Sequence, residues 1–319
     1  MDWEHGVMPD ELGNLTQLLD MDISVNRLTG KIPWSLCELP KLKVLQLYNN
    51  CLTGEIPASI GNSTSLTTLS LYENFLTGEL PSHLGEFSEL VVLELSENRL
   101  FGQLPREVCK GGKLGYFLVL DNLFSGELPE NNVKCESLLR FRASYNRLHG
   151  PIPKGLLGLP HAYIIDLGFN LLEGAIDAAI GNAKNLSALF LQSNRISGSL
   201  PSEISGAKSL MKIDLSNNLL AGTVPREIGE LKILNLLLLQ DNKLSSSIPE
   251  SLSSLRSLNV LNLSNNLLTG PIPECLCELL PNSLDFSNNQ LSGPIMSLCS
   301  EKGSWRASLV IQASAHQSS

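Results

Sequence analysis

Apolar residues along the chain fall into one frame, L-x-x-L-x-L-x-x-N-x-L-x-G-x-I-P, written out in full by residues 42–57 (LKVLQLYNNCLTGEIP) and 258–273 (LNVLNLSNNLLTGPIP). Its asparagine returns every 24 residues, at Asn26, Asn50, Asn74, Asn98, Asn122, Asn146, Asn170, Asn194, Asn218, Asn242 and Asn266, and Asn289 follows after 23. The L-x-L alternation predicts a short strand with its leucines on one face. Leu45 and Leu47 then turn inward, and Gln46 and Tyr48 turn outward. A chain that returns to the same place after a crossover of this length lays successive strands parallel.

A fixed period of this kind is the signature of a leucine-rich repeat solenoid. The expected fold is therefore α/β, with a parallel concave β-sheet of about twelve 24-residue repeats. Repeats cover residues 15–298, residues 1–14 read as the end of a preceding repeat, and residues 299–319 lose the period and are expected to be disordered. The Asn side chain carries donors and an acceptor, so at the strand end it can bond turn backbone in its own and the adjacent coil. The glycine suits a tight bend, and the proline after it ends regular pairing. Ser246 replaces that glycine and Asp177 replaces that proline, and neither interrupts the period.

Composition narrows the function. Net charge is −9 with no basic stripe, which argues against nucleic acid as partner. The N-terminus lacks a basic start followed by an apolar run, and no stretch approaches 18 consecutive apolar residues, so neither a signal peptide nor a membrane span is expected. Four sequons, at Asn14, Asn62, Asn185 and Asn262, nevertheless point to an extracellular glycoprotein. Asn262 lies on a strand, where a glycan would sit on the concave face. Of the seven cysteines, Cys109 and Cys135 are one period plus two apart, which places them on adjacent coils within reach of a disulfide. Cys275 and Cys277 form a C-x-C with too few neighbouring ligands for zinc, and no cofactor is expected. The five histidines are scattered, and no nucleophile–base pair is suggested.

Strand alternation lets the concave face be read directly. Arg140 and Arg142 stand at i and i+2 on one strand, about 6.6 Å apart at about 3.3 Å per residue, while Phe141 turns into the core. Two guanidinium forks at that spacing can grip one carboxylate. Tyr72, Tyr116 and Leu118 offer aromatic and apolar ground beside them, with Glu94 and Asp166 on the same face. Glu73, Glu97 and Asp121 form an acidic row at the strand ends. This combination suits an extended peptide whose C-terminus stops at the arginines. A plain alternative is an exposed ion-pair cluster of the arginines with Asp121 and Asp166.

The segment L-[ST]-G-x-[IL]-P resembles plant extracellular leucine-rich repeat proteins. RFRASYNRLHGPIP at mid-chain is similar to the ectodomains of plant leucine-rich repeat receptor kinases that perceive secreted peptide hormones. LQLYNNCLTGEIP, YFLVLDN and LFLQSNRISGSLP look most like the receptors for C-terminally encoded peptides. The resemblance implies that Arg140 and Arg142 contact the free carboxylate of a peptide's last residue and that Cys109 pairs with Cys135. It also implies an extracellular region of a plasma-membrane protein that recruits a leucine-rich repeat co-receptor kinase beside its C-terminal cap. The family pattern stops after Leu298, so co-receptor docking is not expected of these residues. No Gly-rich loop, V-A-I-K, H-R-D or D-F-G motif occurs, and no enzymatic activity is expected. Five strands precede the arginine strand, about 24 Å, which accommodates about seven extended residues. Two rival readings remain: a defence- or inhibitor-type scaffold that binds a protein over many strands, and a truncated, non-signalling receptor fragment.

Overall fold

A computed structural model describes residues 5–279, 281–293 and 308–310. The chain divides into two compact units, Met1–Pro153 and Lys154–Ser319. In the first, the L-x-L segments form three-residue strands at Asp20–Asp22, Val44–Gln46, Thr68–Ser70, Val92–Glu94, Tyr116–Leu118 and Arg140–Arg142. They pair in parallel in chain order, each residue opposite the one 24 positions on. Leu45, Leu69, Leu93, Phe117 and Phe141 point inward from these strands and are essentially inaccessible. Each such side chain contributes about 1.5–3 kcal/mol of burial.

A second parallel sheet lines the same coils, and the sequence reading had no place for it. It runs through His5–Val7, Arg27–Gly30, Cys51–Glu55, Phe75–Glu79, Arg99–Gly102, Leu123–Glu127 and Arg147–Pro151. The glycine of the frame does take a left-handed conformation, yet the strand continues through it. Gly78, at φ 90°, lies where a Cβ would come within 2.6 Å of Glu55 Cγ, so the glycine permits coil-to-coil contact rather than ending the strand. Behind this sheet several coils close through a short 3-10 segment, such as Asp10–Asn14, Ala58–Asn62 and Glu130–Lys134, each preceded by a proline, and the others through turns. Among the described residues no α-helix occurs.

The second unit repeats the plan. Its inner strands are Ile164–Asp166, Ala188–Phe190, Lys212–Asp214, Leu236–Leu238, Val260–Asn262 and Ser283–Asp285. Both departures from the frame find a physical substitute here. Ser246 adopts φ 67°, the conformation its glycine counterparts take. Asp177 caps the 3-10 segment Ala178–Asn182, its carboxylate accepting from the Ala179 and Gly155 amides at 2.7 and 3.0 Å. Of the tail expected to be disordered, Ser308–Val310 is described, as a strand beside Ser283–Asp285; the rest of 299–319 lies outside the described residues.

The repeated asparagine joins neighbouring coils. Asn122 Nδ2 donates to Leu95 O at 3.0 Å on the preceding coil and to Leu120 O at 3.2 Å on its own. Its Oδ1 accepts from the Leu100 amide at 3.0 Å, at the start of the preceding outer strand. Asn122→Ala should therefore cost about 2–4 kcal/mol in urea unfolding, since buried backbone groups lose their partners. Cys109 and Cys135 are bonded, their Cα atoms 5.3 Å apart across 26 residues. Replacing both by serine should cost about 3.5 kcal/mol by loop-closure entropy, measured the same way.

Candidate ligand-binding face

The site is built outward from a buried aromatic pair. Phe141 and Phe117 stack with centroids 5.1 Å apart and rings inclined by 7°. That contact fixes the phase of strand Arg140–Arg142, so Arg140 and Arg142 project from its other face, both half-buried. Register then sets their neighbours: Tyr116 lies opposite Arg140 and Leu118 opposite Arg142. The Arg140 guanidinium carbon is 6.0 Å from the centre of the Tyr116 ring, at the edge of cation–π range.

One strand further, Glu94 lies opposite Leu118. Burial pushes its carboxyl above the usual glutamate range, and Glu97 adds to the rise. The Ser96 hydroxyl and the Arg142 and Arg140 guanidinium groups oppose it. Tyr72 lies near the same end of the face, stacked on Tyr48 at 4.5 Å and 7°. Burial raises its phenol above the ordinary value, followed by Tyr48 and the carboxylates of Glu73, Glu94 and Glu97. The acidic row itself occupies a backbone position that sequence alone did not reveal. Glu73, Glu97 and Asp121 hold φ of 53°, 56° and 52°, and Asn49 Nδ2 donates to Glu73 at 2.6 Å.

Five of the seven residues expected at the site, Glu94, Tyr116, Leu118, Arg140 and Arg142, occupy three successive strands of the first unit. Tyr72 follows the next strand, Thr68–Ser70. Asp166 belongs to the second unit, in register with Phe190, and is only 5% exposed. Asn14, Asn62 and Asn185 are exposed at or just beyond 3-10 segments; Asn185 donates to Pro160 O at 2.9 Å. Asn262 is an inner-strand residue whose Oδ1 accepts from the Ser264 amide and hydroxyl at 2.9 and 2.7 Å. Asp22, Asp214 and Asp285 make the same bonds to Ser24, Ser216 and Ser287. The spacing D/N-x-S is the signal for this backbone cap, and it gives several inner-strand carboxylates a structural task.

Among the described residues, no cluster of His, Cys, Asp and Glu could hold a metal ion, and no helix is long and apolar enough to cross a membrane.

The Glu94 shift has a sign that can be measured. A carboxyl raised in the folded state makes stability fall as pH rises from the ordinary glutamate value of 4.5 through the folded value. Wild type should therefore lose stability relative to Glu94→Gln as pH rises above the ordinary glutamate value of 4.5 in urea titrations. An unchanged difference would mean that burial does not dominate at this carboxyl.

Leucine rich repeat family models match residues 160–220, and also residues 41–63, 65–87 and 257–279. No curated protein sequence matches the chain. Among solved structures, the Arabidopsis receptor kinase HAESA, in complex with the peptide hormone IDA and the co-receptor SERK1, is 42% identical, with TM-score 0.92 over 97% of this chain and 52% of that one. The plant peptide hormone receptor RGFR1, in complex with RGF2, is 36% identical, with TM-score 0.78 over 90% of this chain and 50% of that one. PEPR1 with AtPEP1 is 32% identical, with TM-score 0.64 over 91% and 48%. The chain thus spans about half the length of these neighbours. It folds as a leucine-rich repeat solenoid, and its structural neighbours are the ectodomains of plant leucine-rich repeat receptor kinases.

Proposed function

We propose that this chain is the peptide-binding leucine-rich repeat module of a plant receptor kinase, and that Arg140 and Arg142 clamp the C-terminal carboxylate of a secreted peptide. The observation that carries the reading is the strand Arg140–Arg142 itself. Its central residue is locked into the core, and both flanking guanidinium groups share one face with Tyr116 and Leu118. Charge-assisted bonds from two guanidinium groups recognise a carboxylate by both charge and direction. The strands before them supply apolar and aromatic ground for the peptide body, as the stacked Tyr48 and Tyr72 illustrate. The mechanism is binding without chemistry.

Support also comes from HAESA, RGFR1 and PEPR1, each solved with the peptide its name pairs it with. Among such ligands, the C-terminally encoded peptides are our first choice, on the sequence resemblance set out above. The complete protein would then present this region outside the cell and signal through a co-receptor. HAESA bound to SERK1 gives a precedent for that partnership.

Titration calorimetry of a synthetic C-terminally encoded peptide against its C-terminal amide tests the clamp. The free acid should bind at least about tenfold more tightly, the scale of one charge-assisted hydrogen bond. Arg140→Ala combined with Arg142→Ala should erase that ratio while leaving the thermal unfolding transition in place. Equal affinity of acid and amide for the wild-type chain would move the carboxylate site elsewhere.

A further inference from the structure

Residues Gln46, Ser70, Glu94, Leu118 and Arg142 form one row across the inner sheet of the first unit, each in register with the next. The row runs across the strands, the direction an extended ligand takes when its end is held at the arginine strand. Within it, Glu94 is the carboxylate between Ser70 and Leu118. It differs from the acids at the strand ends, Glu97 and Asp121, which are exposed. Like Asp22, which Ser24 engages, it is followed two residues on by a serine, Ser96, but it stands closer to the arginine strand. Ser70 beyond it is small and buried, and Leu118 on the arginine side is half-buried and apolar. Glu94 is thus a half-buried carboxylate in an otherwise uncharged stretch of the row, set back from the Arg142 position by two strand steps.

Those steps make a ruler. Two strand spacings come to about 9.6 Å, and an extended peptide advances about 3.3 Å per residue, so Glu94 faces the third residue before the last. A partly desolvated carboxylate gains most from a charge-assisted donor, and a second carboxylate brought against it would add repulsion to a desolvation cost. Building on the peptide-clamp reading above, we propose that Glu94 is a specificity-determining residue. It selects ligands carrying a cationic or N–H-donating side chain three positions before their C-terminal residue and rejects acidic ones there. The intervening residues lie over Leu118 and Tyr116, where apolar side chains are accommodated. The arginine pair then sets where a ligand ends, and Glu94 sets what it carries upstream.

The test uses the free-acid C-terminally encoded peptide with its second, third and fourth residues before the last replaced singly by Lys and by Glu. At the third position the Lys form should bind the wild-type chain at least about tenfold more tightly than the Glu form, with smaller ratios on either side. Glu94→Gln should bring that ratio close to one, and Glu94→Lys should invert it. Glu94→Gln is nearly isosteric and keeps the result readable if the charge reversal fails to fold. A Lys-to-Glu ratio that is the same in wild type and Glu94→Gln at all three positions overturns the ruler. If amidation still weakens binding in that case, the clamp stands and this inference alone falls. If neither acid nor amide binds a folded chain, both fall.

Discussion

The fold depends on one side-chain amide repeated along the chain. Frame asparagines bridge two coils through Nδ2 and Oδ1, as Asn50 does with Ile23 O at 3.1 Å and the Leu28 amide at 3.0 Å on one side and Leu47 O at 3.1 Å on the other. The residue just before the asparagine is held at positive φ in nearly identical fashion whether it is Asn49, Glu73, Tyr145 or even the β-branched Val25. A non-glycine residue at that conformation is strained, and for Val25 acutely so. The strain is tolerated because a buried amide that satisfies several backbone groups offsets it, and because abandoning the turn would orphan them all. Inner strands of only three residues follow from this: the chain must leave the sheet at once to deliver the asparagine to its buried place.

That constraint divides labour by position. Inward side chains and the asparagine belong to architecture, and the outward rows can vary without disturbing either. Strand pairing with no register shift aligns equivalent residues of successive coils, so a ligand laid across the strands meets an ordered series of side chains. The Cys109–Cys135 link lies between the coils that carry Tyr116–Leu118 and Arg140–Arg142, and it adds a covalent tie at the coils that hold the proposed carboxylate site.

What the sequence made legible is whatever the period dictates. The frame exposed the asparagines, the inner strands and their phase, and therefore the outward direction of Arg140 and Arg142. It did not expose the outer sheet, because a glycine in a strand and a glycine in a bend look alike until their neighbours are known; the close approach of Glu55 to Gly78 is a fact of packing. The φ values of Glu73, Glu97 and Asp121 were hidden for the opposite reason: nothing about a glutamate announces a left-handed backbone, and the cause lies in the next residue. The Tyr48–Tyr72 stack required knowing that one coil step matches the thickness of a ring pair. The structural caps at Asp22, Asp214, Asn262 and Asp285 were readable in principle from D/N-x-S.

The same division bears on what similarity can establish. The frame prescribes eight of the sixteen positions it spans, and any chain that obeys it shares those residues with any other. An identity of 42% to HAESA therefore reports heavily on architecture, which is why the backbones agree so closely at a TM-score of 0.92. Any ligand preference on the proposed face would reside in the outward rows, which the frame leaves unspecified. As the proposed clamp, Arg140 and Arg142 would address a feature common to every peptide with a free C-terminus, and so mark a class of ligand. The side chains upstream of them, Glu94 foremost, would meet groups that differ from one peptide to the next. On the proposed reading, affinity for the class and choice within it would be carried by different strands of one sheet, and a change in Glu94 would redirect the second without dismantling the first.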